Sequence, residues 1–112
     1  MKKINYAGPS ITSIEIKCVE KAIRNGFYEN YKFHTNELEK KIRNLFKVKY
    51  ALAVNSCTAA LHLALISANI SKGDEIITSD STCVATALPI IYVGAKAVFV
   101  DVDKDTWCID PK

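Results

Sequence analysis

An α/β fold is what this sequence predicts, and three observations predict it. From residue 50 onward, short apolar runs of strand length alternate with helical stretches in the order strand, helix, strand, helix, strand. The strand runs, 51–54, 75–79 and 96–102, are nearly continuous in apolar character, the pattern of parallel strands covered on both faces, and helical crossovers are what connect such strands. Residues 12–46, by contrast, hold their apolar side chains at helical spacing, so two helices lead into the wound half.

The first helix opens on Thr12-Ser13-Ile14-Glu15, a capping box in which the Thr12 hydroxyl accepts from an orphan amide and Glu15 reaches back to the cap. Ile16, Val19, Ala22 and Ile23 follow at helical spacing, and Gly26 ends the helix. Residues 27–34 read as a loop with exposed aromatics. The second helix starts near Thr35 or Asn36 and buries a stripe of Leu38, Ile42, Leu45 and Phe46. After the strand at 51–54, residues 58–69 form an apolar helix, and Ser71-Lys72-Gly73-Asp74 turns the chain into strand 75–79. Residues 83–92 form the next helix, stopped by Gly94, with Pro89 either kinking it or sitting where no amide is needed. Residues 96–102 supply the third strand. No repeat, low-complexity tract or linker interrupts the chain, so it reads as one domain, with leading helices over 1–49 and a β-α-β-α-β segment over 50–112.

With 112 residues, 49% of them hydrophobic, the chain has the size and apolar content of one small globular domain. The apolar runs at 61–70 and 88–93 are too short to span a bilayer, and Met1-Lys2-Lys3-Ile4-Asn5 holds no apolar signal core, so a cytoplasmic protein without a membrane partner is expected. Residues 1–50 hold eleven Lys and Arg against five Glu, a balance of +6, and residues 51–112 hold four against seven acids, a balance of −3. The basic half mixes its charges along helices, as in Glu37, Glu39, Lys40, Lys41 and Arg43, which marks a solvated helix face rather than a nucleic-acid surface. Cys18, Cys57, Cys83 and Cys108 lie far apart, with no Cys-x-x-Cys pair and no histidine at ligand spacing; reduced thiols and no metal site are expected. Cys18 and Arg24 spell the Cys-x5-Arg of phosphatase loops, but inside a helical pattern where that loop's glycine-rich backbone is missing.

Ligands of open α/β sheets sit beyond the carboxyl ends of the strands, here residues 55–59, 79–85 and 101–105. In the first of these, Asn55-Ser56-Cys57-Thr58 puts small hydroxyl and thiol side chains where a strand hands over to an apolar helix. Two readings are open there. Ser56 or Cys57 caps the helix, or the open amides of its first turn, with the Ser56 and Thr58 hydroxyls, hold a phosphate or another anion. The four glycines, Gly8, Gly26, Gly73 and Gly94, are scattered, so neither a dinucleotide loop nor a Walker loop exists. His34 and His62 have no sequence partner that would make either one a base or a ligand, and both read as structural. Asp101, Asp103 and Asp105 read as turn caps.

Taken together, "AGPSI" near the start, "YALAVNSCTAALHLAL", "KGDEIITSDSTCVATALPIIYVGAKAVFVDVD" and the closing "DTWCIDP" resemble, in order and spacing, the N-terminal part of the DegT/DnrJ/EryC1/StrS sugar aminotransferases, over nearly the whole chain. "GFYEN" with "DTWCID" is most similar to the perosamine-synthase-like branch. The resemblance implies fold type I, pyridoxal 5'-phosphate as cofactor, a homodimer, and transfer of an amino group, usually from glutamate, onto a nucleotide-linked keto-sugar in polysaccharide biosynthesis such as that of O-antigen. It matches Ser56, Cys57, Thr58 and Ala59 to the segment that receives the cofactor phosphate. Cys83 matches the slot where relatives carry an aromatic side chain stacked on the pyridine ring. Tyr28, Glu29 and Asn30 are candidates for substrate or dimer contact. The Schiff-base lysine and the acid facing the pyridine nitrogen belong, by the same resemblance, to segments after residue 112, so no catalytic residue is assigned within the chain and the isolated chain is expected to be inactive. The alternatives are a non-catalytic interaction or anion-binding α/β module, and one half of a split enzyme.

Overall fold

The structure, a computed structural model, describes residues 8–25 and 30–111. The chain divides into two compact units, Met1–Ala53 and Val54–Lys112. The first contains α1 (Ser13–Asn25) and α2 (Phe33–Phe46); the second contains α3 (Cys57–Ser67), β1 (Glu75–Ser79), α4 (Val84–Tyr92) and β2 (Lys96–Val100).

In the first unit the expected capping box forms. The Ile14 amide donates to Thr12 Oγ1 at 3.2 Å, and the Glu15 carboxylate accepts from the Thr12 amide at 2.6 Å and from the Thr12 hydroxyl. These bonds hold the Glu15 carboxyl below its usual range, the Thr12 hydroxyl contributing most and the Thr12 amide next. The expected terminator, Gly26, lies outside the described residues. Cys18 and Arg24 both sit on α1, where Arg24 instead pairs with Glu20 at 2.9 Å one turn away. α2 starts two residues earlier than expected and ends on Lys47, whose left-handed backbone (φ 53°) lets its amide donate to the Arg43 carbonyl.

Two expectations fail in this unit. The α2 stripe is not buried: Leu38, Leu45 and Phe46 are exposed, Leu45 at 72%, and Ile42 alone is half-buried. Among the described residues of this unit, two helices and a short following segment offer no second layer to cover it. Residues 51–54 form no strand either. A strand exists only where a neighbour takes its backbone groups, and here the Ala53 amide donates to the Glu39 carboxylate of α2 at 3.0 Å.

The second unit has the expected crossover. β1 and β2 are parallel and pair from Glu75 with Lys96 to Ser79 with Val100, with α4 between them in sequence. At the first pair Lys96 Nζ lies 2.7 Å from Glu75 Oε1, and this contact raises the lysine's proton affinity above its ordinary value. β2 stops at Val100 instead of 102; Val102 forms an antiparallel bridge with Ile109 instead, so the chain turns back on itself. α4 packs on both strands and on α3, and the buried residues of the unit are Pro89, Ile90 and Thr78. Pro89 is inside α4, where it deprives the Ala85 carbonyl of its usual donor. Gly94 ends the helix at φ +78°, its amide donating to the Ile91 carbonyl at 2.9 Å. The sheet is not covered on both faces as expected. Ile77 is 64% exposed and Phe99 55%, and the register puts them on opposite faces.

Candidate functional site

The stretch that drew attention in the sequence becomes the start of α3. Ser56 has an extended backbone (φ −157°, ψ 156°) and its Oγ accepts from the Ala59 amide at 3.2 Å, while its carbonyl accepts from Ala60 at 3.1 Å. Ser56 is therefore the helix cap, one of the two readings left open by the sequence. The cap uses only part of the first turn. Among the described residues, the Cys57 and Thr58 amides have no hydrogen-bond partner, and they are the donors still available to an incoming anion. Ser56 and Cys57 are exposed, and Thr58 and Ala59 are half-buried. The two readings are thus compatible: the serine satisfies one amide and leaves two at the positive end of the helix dipole.

Cys83 occupies the equivalent place on α4. It is the residue before the helix, extended at φ −65° and ψ 138°, its carbonyl accepting from the Thr86 amide at 2.8 Å and its thiol exposed. The Thr82 and Thr86 hydroxyls lie 3.0 Å apart beside it. α3 and α4 pack together, with His62 of α3 against Tyr92 at the end of α4. Because Ser79 and Val100 are register partners, the segments leaving β1 and β2 emerge from one end of the sheet.

The aspartates at that end act on their own backbone. Asp103 Oδ1 accepts from the amides of Asp105 (3.1 Å) and Thr106 (2.9 Å) and from the Thr106 hydroxyl (2.9 Å). The Thr106 bonds above all hold the Asp103 carboxyl below the usual aspartate range. Asp101 Oδ1 accepts from the Val102 amide at 2.8 Å.

Of the candidates for substrate contact, Tyr28 and Glu29 lie outside the described residues. Asn30 lines a cavity of about 220 Å³ in the first unit with Lys21, Asn25, Phe33 and His34. The sequence reading missed this grouping, although Lys21 and Asn25, four apart on α1, carried a signal for a shared face. His34 stands edge-on to Phe33 with ring centroids 5.2 Å apart, and His62 edge-on to Tyr92 at 5.5 Å.

A parallel β-α-β unit, with α3 opening on the exposed Ser56 and Cys57, defines this chain as an α/β protein. The family follows from comparison: residues 9–112 match the DegT/DnrJ/EryC1/StrS aminotransferase family, and the chain belongs to it. The spore coat polysaccharide biosynthesis protein SpsC of Bacillus subtilis (strain 168) is 42% identical over 106 residues, 95% of this chain and 27% of SpsC. GDP-perosamine synthase of Escherichia coli O157:H7 is 36% identical over 107 residues, 96% of this chain and 29% of that enzyme. Among solved structures, the PLP-form of the putative sugar aminotransferase Spr1654 from Streptococcus pneumoniae superposes with a TM-score of 0.82 at 33% identity, covering 97% of this chain and 28% of that one. The chain thus spans less than a third of the length of these relatives. No helix among the described residues is long and apolar enough to cross a membrane.

Proposed function

We propose that this chain supplies the phosphate seat, and part of the large domain, of a pyridoxal-phosphate-dependent aminotransferase acting on a nucleotide-linked keto-sugar. In this reading glutamate is the amino donor, the complete enzyme is a cytoplasmic homodimer, and its product enters a polysaccharide such as O-antigen. Residues 1–112 form one incomplete domain in it, the leading helices over 1–49 and the wound segment over 50–112. The observation that carries the proposal is the start of α3, where the Ser56 cap leaves the Cys57 and Thr58 amides open in a chain of this family.

The residues present fit the phosphate group. The Cys57 and Thr58 amides donate to its oxygens, the Thr58 hydroxyl adds a third donor, and Ser56 holds the turn that aims them through its bond to Ala59. Cys83, the residue before α4, would face the ring in place of an aromatic side chain, as the family resemblance implies. When bound, pyridoxal phosphate supplies the electron sink for amino transfer. The amine that carries it lies outside residues 1–112 in this reading, so the chain alone binds and orients but does not transaminate. Asn30, with Tyr28 and Glu29, is assigned to substrate or dimer contact, supported by the cavity that Asn30 lines with Lys21, Asn25, Phe33 and His34.

The test is a titration of the 112-residue chain with pyridoxamine 5'-phosphate, which has no aldehyde to react with surface lysines, followed by amide NMR. Shifts centred on Cys57, Thr58 and Ala59 that inorganic phosphate reproduces support the seat. Shifts centred elsewhere, or none, overturn it.

A further inference from the structure

α3 carries apolar side chains on every side, so the hydrophobic pattern by itself selects no rotation of the helix about its axis. A definite rotation is nonetheless present. Thr58, Leu61, His62 and Leu65, at spacings of three and four, are half-buried, while Leu63, Ala64 and Ile66 stay exposed. Dispersion contacts of Leu and Ala are non-directional and serve either rotation. An edge-on ring pair is directional, because the positive edge of one ring must meet the negative face of the other.

Among the described residues α3 makes one such contact: His62 meets Tyr92 of α4 with ring centroids 5.5 Å apart and planes at 64°. Thr58 lies one turn before His62 on the same side of the helix. A turn of α3 large enough to break the ring contact therefore swings the Thr58 amide and hydroxyl with it.

We propose that His62 and Tyr92 are positioning residues for the anion seat: their edge-on contact fixes the rotation of α3 and with it the aim of the Cys57 and Thr58 amides. The inference rests on the phosphate seat proposed above. It assigns His62 neither proton transfer nor contact with a ligand.

The probe is inorganic phosphate, titrated into the 112-residue chain and its variants and followed at the Cys57, Thr58 and Ala59 amides. His62→Leu is expected to weaken binding between about twofold and tenfold, the range that one aromatic pair supplies. His62→Phe, which keeps a ring edge but no imidazole nitrogen, is expected to stay within about twofold of the native chain on the same scale. Tyr92→Leu, at an exposed position that tolerates change, should reproduce the His62→Leu loss, and the double variant should lose no more than either single one. Native affinity in Tyr92→Leu, or in a His62→Leu chain whose β1 and β2 amide signals are unchanged, overturns the proposal. So does a His62→Phe chain as weak as His62→Leu. If the native chain itself shows no phosphate-dependent shift at residues 57–59, the seat fails first and the positioning role falls with it.

Discussion

Replacing Ser56 separates its two duties, because capping needs an acceptor whereas anion binding tolerates no negative charge. Ser56→Ala removes the 3.2 Å bond to the Ala59 amide; in an exposed first turn that costs about 0.5–1 kcal/mol. Ser56→Asp keeps an acceptor at the same position and adds a charge at the positive end of α3, a gain of about 0.3–1 kcal/mol over the native serine. The same carboxylate would stand roughly 4 Å from a group held by the adjacent Cys57 and Thr58 amides. At that separation, in water, each pair of unit charges repels by about 1 kcal/mol, so a phosphate dianion loses about 2 kcal/mol, or roughly thirtyfold in affinity. Stability and binding must therefore move in opposite directions in Ser56→Asp and in the same direction in Ser56→Ala. Denaturant titration gives the first quantity and phosphate titration by amide NMR the second. An aspartate variant that binds phosphate as well as the native chain would refute the seat, and an alanine variant of native stability would refute the cap.

Gly94→Ala should cost about 1 kcal/mol in a denaturant titration; the left-handed φ of +78° is the cause, since an added methyl would meet Lys72 Cβ at an ordinary 3.5 Å. The Asp103 turn should respond to acid: its carboxyl is depressed in the folded chain, so the stability it contributes is present above the ordinary aspartate range and lost as pH falls through the lowered value. Carboxyl NMR should place that titration below the range of an unstructured aspartate, with Asp105 and Thr106 amide protection lost alongside; an ordinary midpoint would remove the turn's role. Cys83→Trp should tighten pyridoxamine 5'-phosphate by about twofold to tenfold without changing affinity for inorganic phosphate, because only the former has a ring to stack. Equal gains for both probes would show that position 83 does not face the ring.

What the sequence disclosed, and what it did not, divides by the range of the interactions involved. The Thr12 box, the start of α3 and the Asp103 turn are closed by hydrogen bonds between residues at most three apart; residue order indicated the first and the last, and for α3 it narrowed the cap to Ser56 or Cys57. Residues 51–54 have the composition of a strand, but a strand is a pairing, and the partner that takes the Ala53 amide is a carboxylate fourteen positions away. The same limit applies to the sheet: apolar runs indicate burial on two faces, while Ile77 and Phe99 are left open because no element among the described residues covers them. His62 was legible as structural, yet its partner Tyr92, thirty residues on, carried no local signal. For the seat, the residue types indicated anion chemistry; which amides remain open emerged only when Ser56 was seen to consume that of Ala59.

That count of amides also bounds what the seat can do by itself. Two charge-assisted bonds to open backbone donors supply about 1.5–3 kcal/mol each, hence about 3–6 kcal/mol together before the cost of holding the ligand. Since about 4 kcal/mol corresponds to a millimolar dissociation constant and that cost has still to be subtracted, the proposed seat is expected to hold free phosphate no more tightly than the millimolar range. An exposed site at high dielectric offers no means of strengthening them, which is why the reading assigns tight retention of a cofactor to the covalent amine and not to this helix. In the proposed function the α3 seat would serve orientation, fixing where the phosphate end sits so that the ring end can be reached by groups from elsewhere. A micromolar phosphate affinity in the 112-residue chain would require contacts beyond the Cys57 and Thr58 amides and the Thr58 hydroxyl, and would overturn this division of roles.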